Sequence, residues 1–376
     1  MRFRVDRDVL AEAVTWTARS LPTRPPVPVL AGVRIDVDDA GVVQLSSFDY
    51  EVSARSEIAA DVSEKGTVLV SGRLLAEISR ALPAKPVDMV LDGTKVSVTC
   101  GASRFTLLTM PVEDYPALPT MPDVIGTVAG DQLAEAVAQV TVAASRDDTL
   151  PLLTGVRMEI EGDTMALLAT DRYRLALREL RWTPARTDIS QVALVRARTL
   201  NDAARSLGGA DQVTIALSTG AGVDLIGFEA GGRHTTSLLV DGDYPAVRRL
   251  FPDETPIHAV VDKAALTEAA RRVALVAERN TPIRLAFSEG QVVLDAGQGD
   301  DAQASEALEA TLVGEDITVA FNPQYLLDGL GAITTPLVRL SFTHPNKAVE
   351  FTGQAEADGD DDKSYRYLLV PIRFAS

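Results

Sequence analysis

Cysteine is almost missing: Cys100 is the only one in 376 residues. That excludes an intramolecular disulfide and any cysteine-built zinc cluster, and it suits a reducing compartment, with the cytoplasm as the expected location. Histidine is nearly as scarce. His234, His258 and His344 stand apart from any motif that would make one a general base or a metal ligand, so all three read as surface or internally satisfied side chains. Long apolar runs are missing too. The opening MRFRVDRDVLAEAVTWTARS is too charged for a signal peptide, and no window approaches the roughly eighteen apolar residues of a membrane span, so a soluble chain without membrane contact is expected.

Catalytic signatures are also lacking. There is no HExxH, no G-x-x-x-x-G-K-[ST] and no nucleophile elbow. The glycine cluster TGAGVDLIG at 219–227 lacks the third glycine of a dinucleotide fingerprint and reads as a hairpin turn. EADGDDDK at 356–363 lacks the alternating ligands and closing glutamate of a calcium loop, and reads as a solvated loop between strands. The expectation is a non-enzymatic binding protein with no cofactor and no metal. Positive charge is in deficit, with 36 Lys and Arg against 53 Asp and Glu and a net charge of −17. Taken alone, that total argues against a generally basic, nucleic-acid-wrapping surface, although it says nothing about distribution.

What the chain does have is repetition. Hydrophobic residues make up 46%, which at this length supplies two or three cores rather than one. VLAEAV at 9–14 is nearly repeated by QLAEAV at 132–137 and echoed by LTEAAR at 266–271. Each begins an apolar stripe of helical period: Leu10, Ala13, Val14 and Thr17; Leu133, Ala136, Val137 and Val140; Leu266, Ala269, Ala270 and Val273. Strand-like segments follow, PVPVLAGVRIDV at 26–37, TLPLLTGVRMEI at 149–160 and the shorter TPIRLAF at 281–287.

A second helix recurs in TVLVSGRLLAEISRAL (67–82), VALVRARTLNDAARSL (192–207) and TVAFNPQYLLDGLGAI (318–333), where Asn322 before Pro323 is a good N-cap. Each copy closes on a strand-like run, SRFTLLTMP, GRHTTSLLV or YRYLLVPIRF. Proline-bearing connectors at 116–124 and 249–257 separate the copies. The predicted architecture is α+β, three tandem similar domains at 1–122, 123–253 and 254–376, each with two helices on antiparallel sheets.

Against the acidic background, three helical segments are locally basic. Residues 71–85 set Arg73, Arg80 and Lys85 against Glu77; 196–207 set Arg196, Arg198 and Arg205 against Asp202; 263–279 set Lys263, Arg271, Arg272 and Arg279 against Glu268 and Glu278. Each nets +2, which leaves the remainder more negative than the total. The segments 131–146 and 324–334 do not follow this pattern, so scattered arginines on solvated faces remain an alternative.

SRFTLLTMPVEDYPALP at 103–119, LLATDRYRLAL at 167–177, VDGDYPAVRRLFP at 240–252 and the terminal YLLVPIR at 367–373 carry a resemblance to the bacterial DNA sliding clamps, the β subunit of the replicative DNA polymerase III, in their actinobacterial form. The likeness spans essentially the whole chain. It implies the DNA clamp fold, two chains closed head to tail into a ring, helices lining a hole that holds duplex DNA without base readout, and no catalysis. The implied partners are encircled duplex DNA, a second copy, and the replicative polymerase, clamp loader and DNA repair proteins, which dock through short linear peptides.

By that resemblance Arg24, in LPTRPPVPVL, matches a DNA-contacting position, while Arg73, Arg80, Arg196, Arg198 and Arg205 are nominated on charge. The implied peptide pocket takes Leu153, Thr170, Arg172, Arg174, Leu175, Pro245, Arg249, Leu250, Asn322, Tyr325, Val370, Pro371, Ile372 and Arg373. For ring closure, Phe105 and Leu107 on the alternating strand are expected to face Leu275 and Val276 of the other chain. Val370 stands where many relatives have methionine, the chain continues to Phe374, Ala375 and Ser376, and ERNTPI at 278–283 differs from the aromatic-bearing loop of some relatives, which leaves peptide preference open. Two other readings stay open at this point: a paralogous clamp conferring resistance to a pocket-binding antibiotic, and a repeat-built α+β enzyme with an interdomain site.

Overall fold

The computed structural model describes residues 1–220, 222–277, 281–297 and 302–373. The six predicted helices are present: α1 (Arg7–Ala18), α2 (Gly72–Ala81), α3 (Gly130–Thr141), α4 (Ala197–Leu207), α5 (Lys263–Ala274) and α6 (Pro323–Ala332). Their apolar stripes are the buried faces, with Leu10, Leu75, Leu133, Leu200, Leu266 and Leu326 all inaccessible or nearly so. Caps start several of them. The Asp6 carboxylate accepts from the backbone N–H of Asp8 and Val9, Asp262 from Ala265, and Asn322 from Gln324 and Tyr325, so one or two orphan donors of each of these first turns are satisfied. All six follow a strand: α2, α4 and α5 start directly after Gly66–Ser71, Ser190–Arg196 and Ile257–Asp262, and α1, α3 and α6 one residue after Arg2–Val5, Val124–Val128 and Ile317–Phe321.

The chain forms two compact units. The first holds Met1–Asp131, Thr183–Arg186 and Asp202–Leu239; the second holds Gln132–Trp182, Thr187–Asn201 and the chain from Val240 onward. In the first, one fourteen-stranded sheet runs from the strands of the first repeat into those of the second. The junction is the antiparallel pair Val52–Ala59 with Arg233–Leu238, where Thr235 faces Ala54 and the Ser53 and Thr236 hydroxyls lie 2.6 Å apart. The second unit has a nine-stranded and a four-stranded sheet. Its nine-stranded sheet makes the equivalent junction between second and third repeats, Arg174–Arg181 with Asp361–Leu369. The second repeat therefore contributes strands to both units, a division that periodicity in one dimension does not reveal.

The glycine cluster behaves as read, in so far as it is described: Val213–Ser218 and Leu225–Ala230 pair antiparallel across it, and the Asp224 carboxylate accepts from the Gly220 N–H; residue 221 lies outside the described residues. The acidic segment links strands Val349–Gln354 and Asp361–Leu369 and is tied down by the Gln354 amide, which donates to the carbonyls of Glu356 and Ala357.

Candidate functional site

A tight turn organises the groove region of the second unit. Between strands Thr164–Thr170 and Arg174–Arg181, the Asp171 carboxylate accepts from the N–H of Tyr173 (3.0 Å) and Arg174 (3.1 Å), while the Thr170 hydroxyl donates to the Arg174 carbonyl (2.6 Å). These bonds hold Arg172 at φ 81, a left-handed conformation that costs a non-glycine residue about 1–3 kcal/mol. FDYEV at 48–52 builds the same turn in the first repeat: Asp49 accepts from Glu51 and Val52, and Tyr50 sits at φ 76.

Arg174 is buried. Its guanidinium bonds Asp171 (3.0 Å) from the turn and Asp328 (2.6 Å) from α6, and lies 4.2 Å from the Tyr325 ring centre. Burial opposes its charge, but Tyr367, the Asp328 hydrogen bond and Asp171 outweigh that and hold its pKa above the ordinary arginine value. Tyr325 stacks on Tyr173 (6.2 Å, 29°) and accepts at its carbonyl from the Tyr367 hydroxyl (2.8 Å). Truncating Arg174 would leave two carboxylates with little solvent; Arg174→Ala is expected to lower unfolding stability by about 3–5 kcal/mol in a denaturant titration.

Below this cluster lies an apolar floor. Leu153, Leu175, Leu177, Tyr244 and Val247 pack together with the partly buried Leu152 and Val240. Burial pushes the Tyr244 phenol well above its usual pKa. The C-terminal segment forms one wall: the Val370 N–H donates to the Tyr173 carbonyl (2.9 Å) and the Ile372 N–H to Ala320 (2.7 Å). Asn322 serves as the N-cap of α6 and thereby sets Tyr325. Pro371 is buried, whereas Pro245, Leu250 and Val370 are exposed. Arg172, Arg249 and Arg373 are exposed as well and form no ion pair among the described residues. An apolar floor, tyrosine and aliphatic walls and three available guanidiniums suit a short apolar peptide carrying carboxylates.

All six nominated DNA-contacting arginines are exposed. The Arg73 guanidinium donates to the Pro22 carbonyl (3.2 Å) and so anchors the loop that carries Arg24 at the start of α2. Arg24, Arg73, Arg80 and Arg205 belong to the first unit, and Arg196 and Arg198 to the second.

Within the ring-closure set, Leu107 is 2% exposed and belongs to the core of the first unit, which leaves it little surface of its own to offer another chain; its neighbour Leu108 is 70% exposed. Phe105 is 38% exposed and Leu275, at the C-terminal cap of α5, 84%. Val276 is partly buried. Strand Ser103–Met110 pairs with Lys95–Cys100 along one edge, but of the other edge only Thr109 and Met110 pair with a strand among the described residues. Ala304–Glu309 at the border of the four-stranded sheet likewise pairs on one side only. Sequence reasoning missed Leu108, this second edge, Asp328 and the Tyr244–Val247 floor. The floor was signalled by DYPAL at 114–118 recurring as DYPAV at 243–247, and Leu108 by a leucine that shares its strand face with Arg104 and Thr106. The departure at 278–283 and the terminus from Phe374 fall wholly or partly outside the described residues.

Exposed arginines on the helices of an α+β chain, and a groove region with an apolar floor and guanidiniums at its rim, are features of a protein that binds charged partners. Residues 1–119, 127–246 and 248–372 match the family models described as the N-terminal, central and C-terminal domains of the DNA polymerase III beta subunit. A beta sliding clamp of Streptomyces coelicolor is 57% identical over 376 residues, all of both chains. A beta sliding clamp homolog, GriR, of Streptomyces muensis is 47% identical over 374 residues, again covering both. The crystal structure of a Pseudomonas aeruginosa sliding clamp bound to griselimycin superimposes with a TM-score of 0.91 at 28% identity over the whole of each chain. The chain belongs to the family of DNA polymerase III beta subunits, the bacterial DNA sliding clamps. Its function is theirs, a non-catalytic processivity factor of DNA replication, and the higher of the two identities is to the relative named a beta sliding clamp rather than to the one named a homolog.

Proposed function

We propose that two copies close head to tail into a ring, strand Ser103–Met110 of one against strand Ala304–Glu309 of the other. The two free edges carry this reading. An unpaired edge is a template for another strand, and exposed apolar residues beside it are the usual mark of an interface. Phe105 and Leu108 flank the first edge, and Leu275 is exposed in the same repeat as the second. Arg104 on the first and Glu309 on the second are exposed charges of opposite sign. Native mass spectrometry with negative-stain electron microscopy of the purified protein tests it: a two-chain ring is expected, and a monomer at micromolar concentration would refute it.

In this reading the chain comprises clamp domains at 1–122, 123–253 and 254–376, and their helices turn toward duplex DNA in the hole. Arg24, Arg73, Arg80, Arg196, Arg198 and Arg205 contact phosphates without reading bases, while the acidic remainder resists unspecific association. Topology supplies the retention, so these contacts need only be weak. Arg196→Glu, Arg198→Glu and Arg205→Glu together should spare dimerisation but reduce loading and processive synthesis; full processivity would place α4 elsewhere. The slope of log affinity against log salt should fall by about 0.9 for each phosphate that an arginine no longer neutralises.

The groove then takes linear peptides of the replicative polymerase, the clamp loader and repair proteins in turn. A solved relative is described as bound to griselimycin, which supports a ligand-accepting pocket on this fold. Among the described residues no helix is long and apolar enough to cross a membrane, and a cytoplasmic location fits a partner of the replication machinery.

A further inference from the structure

We infer that Arg248 is a positioning residue of the groove: by clasping two carboxylates on the sheet face beneath it, it holds the turn Val247–Leu250 so that Arg249 and Leu250 stand ready at the rim. The two neighbouring arginines have opposite fates. Arg249 is exposed and forms no ion pair among the described residues, whereas the Arg248 guanidinium donates from Nη1 to Glu159 (2.8 Å) and from Nη2 to Glu179. Glu159 is also held by Arg157 (2.8 Å), so the contacts form a chain rather than an isolated pair. Strand register brings the carboxylates together. Glu159 and Glu179 both lie opposite Ala166, on the two strands that flank it, and partners across an antiparallel ladder share one face of the sheet.

A second anchor closes the turn. Phe251 is buried, and the Arg366 guanidinium, itself bonded to Glu350, lies 4.3 Å from its ring centre. Val247 is buried in the apolar floor, so the segment is fixed at Val247, Arg248 and Phe251 and leaves Arg249 and Leu250 exposed. Its backbone supplies little restraint: this is a short 3-10 turn, and its closing bond, from the Phe251 N–H to the Arg248 carbonyl, is long at 3.4 Å. The Arg248 side chain is 47% exposed, and ion pairs in that setting contribute little to global stability. The clasp therefore acts on local order. Rim side chains that are already ordered lose less freedom when a peptide arrives, and two of them correspond to about tenfold in Kd.

This inference rests on the groove reading and gives Arg248, Glu159, Glu179 and Phe251 a role in it without contact to the peptide. Cys100, the one native cysteine, is buried, so a nitroxide can be placed at position 250 alone through Leu250→Cys. In that full-length protein Arg248→Met and Glu179→Ala should each make the nitroxide more mobile by electron paramagnetic resonance. With Leu250 in place, each should weaken a polymerase-derived peptide by about tenfold in fluorescence polarisation, with native mass and denaturant midpoint unchanged. Arg248→Lys, which keeps the charge and can still reach one carboxylate, should restore part of the loss. The first two substitutions change the local charge in opposite directions, so an effect of charge alone would split them. Binding weakened by Arg248→Met yet strengthened by Glu179→Ala would overturn the positioning role, and so would unaltered nitroxide mobility in both. Should the unsubstituted protein fail to bind the peptide, the groove reading falls, and the nitroxide spectra still decide whether Arg248 holds the turn.

Discussion

Phe105→Arg with Leu108→Arg yields a monomer that folds but cannot be retained on DNA. Both side chains flank the open edge of strand Ser103–Met110 and are partly or largely exposed in the single chain, so their replacement leaves the core of the first unit untouched. Across a closed interface two such anchors contribute about 3–6 kcal/mol, which is two to four powers of ten in Kd. Two arginines would in addition have to be desolvated there. Arg104 already stands on this strand, so the added charges also repel it. Sedimentation velocity reads the result, and an unchanged dimer would remove this edge from the ring contact. Leu107→Arg gives an informative contrast: buried in the core, it should abolish folding rather than assembly.

Leu250→Asp with Val370→Asp separates the groove from the ring. Both side chains are exposed, on the turn Val247–Leu250 and on the C-terminal segment beside Tyr173, so stability and dimer mass should not change. Micromolar peptide affinity corresponds to about 8 kcal/mol, more than two apolar anchors supply. The remainder has to come from backbone hydrogen bonds and from the guanidiniums at the rim. Removing both anchors and adding two carboxylates near Arg249 and Arg373 should weaken a polymerase-derived peptide by at least about a hundredfold in fluorescence polarisation. Unaltered affinity would move the docking site away from this groove.

The parts legible in the sequence are those written in local periodicity. Six helices, their buried stripes and the Asn322 cap follow from spacing and cap chemistry alone, because a helix satisfies its own backbone and needs only one apolar face. Pairing between distant strands is not written locally. Nothing in GRHTTSLLV says that Thr235 will face Ala54, so the way the second repeat divides between two compact units was out of reach. Alternation placed Phe105 and Leu107 on one strand face correctly, but whether a position near a sheet border is covered depends on neighbours contributed from elsewhere; Leu107 is covered and Phe105 is not. Asp328 was invisible for a similar reason. On α6 it is an ordinary helical carboxylate, and only the fold brings Arg174 within 2.6 Å.

Encirclement is the central claim, and topology tests it most directly. Protein loaded onto a nicked circular plasmid by a clamp loader and passed through a sizing column at moderate salt should elute with the DNA. After the same plasmid is cut once, the protein should slide off the ends and elute free. Equal retention on circular and linear DNA would mean that surface contacts rather than a closed ring hold it, and would contradict this account.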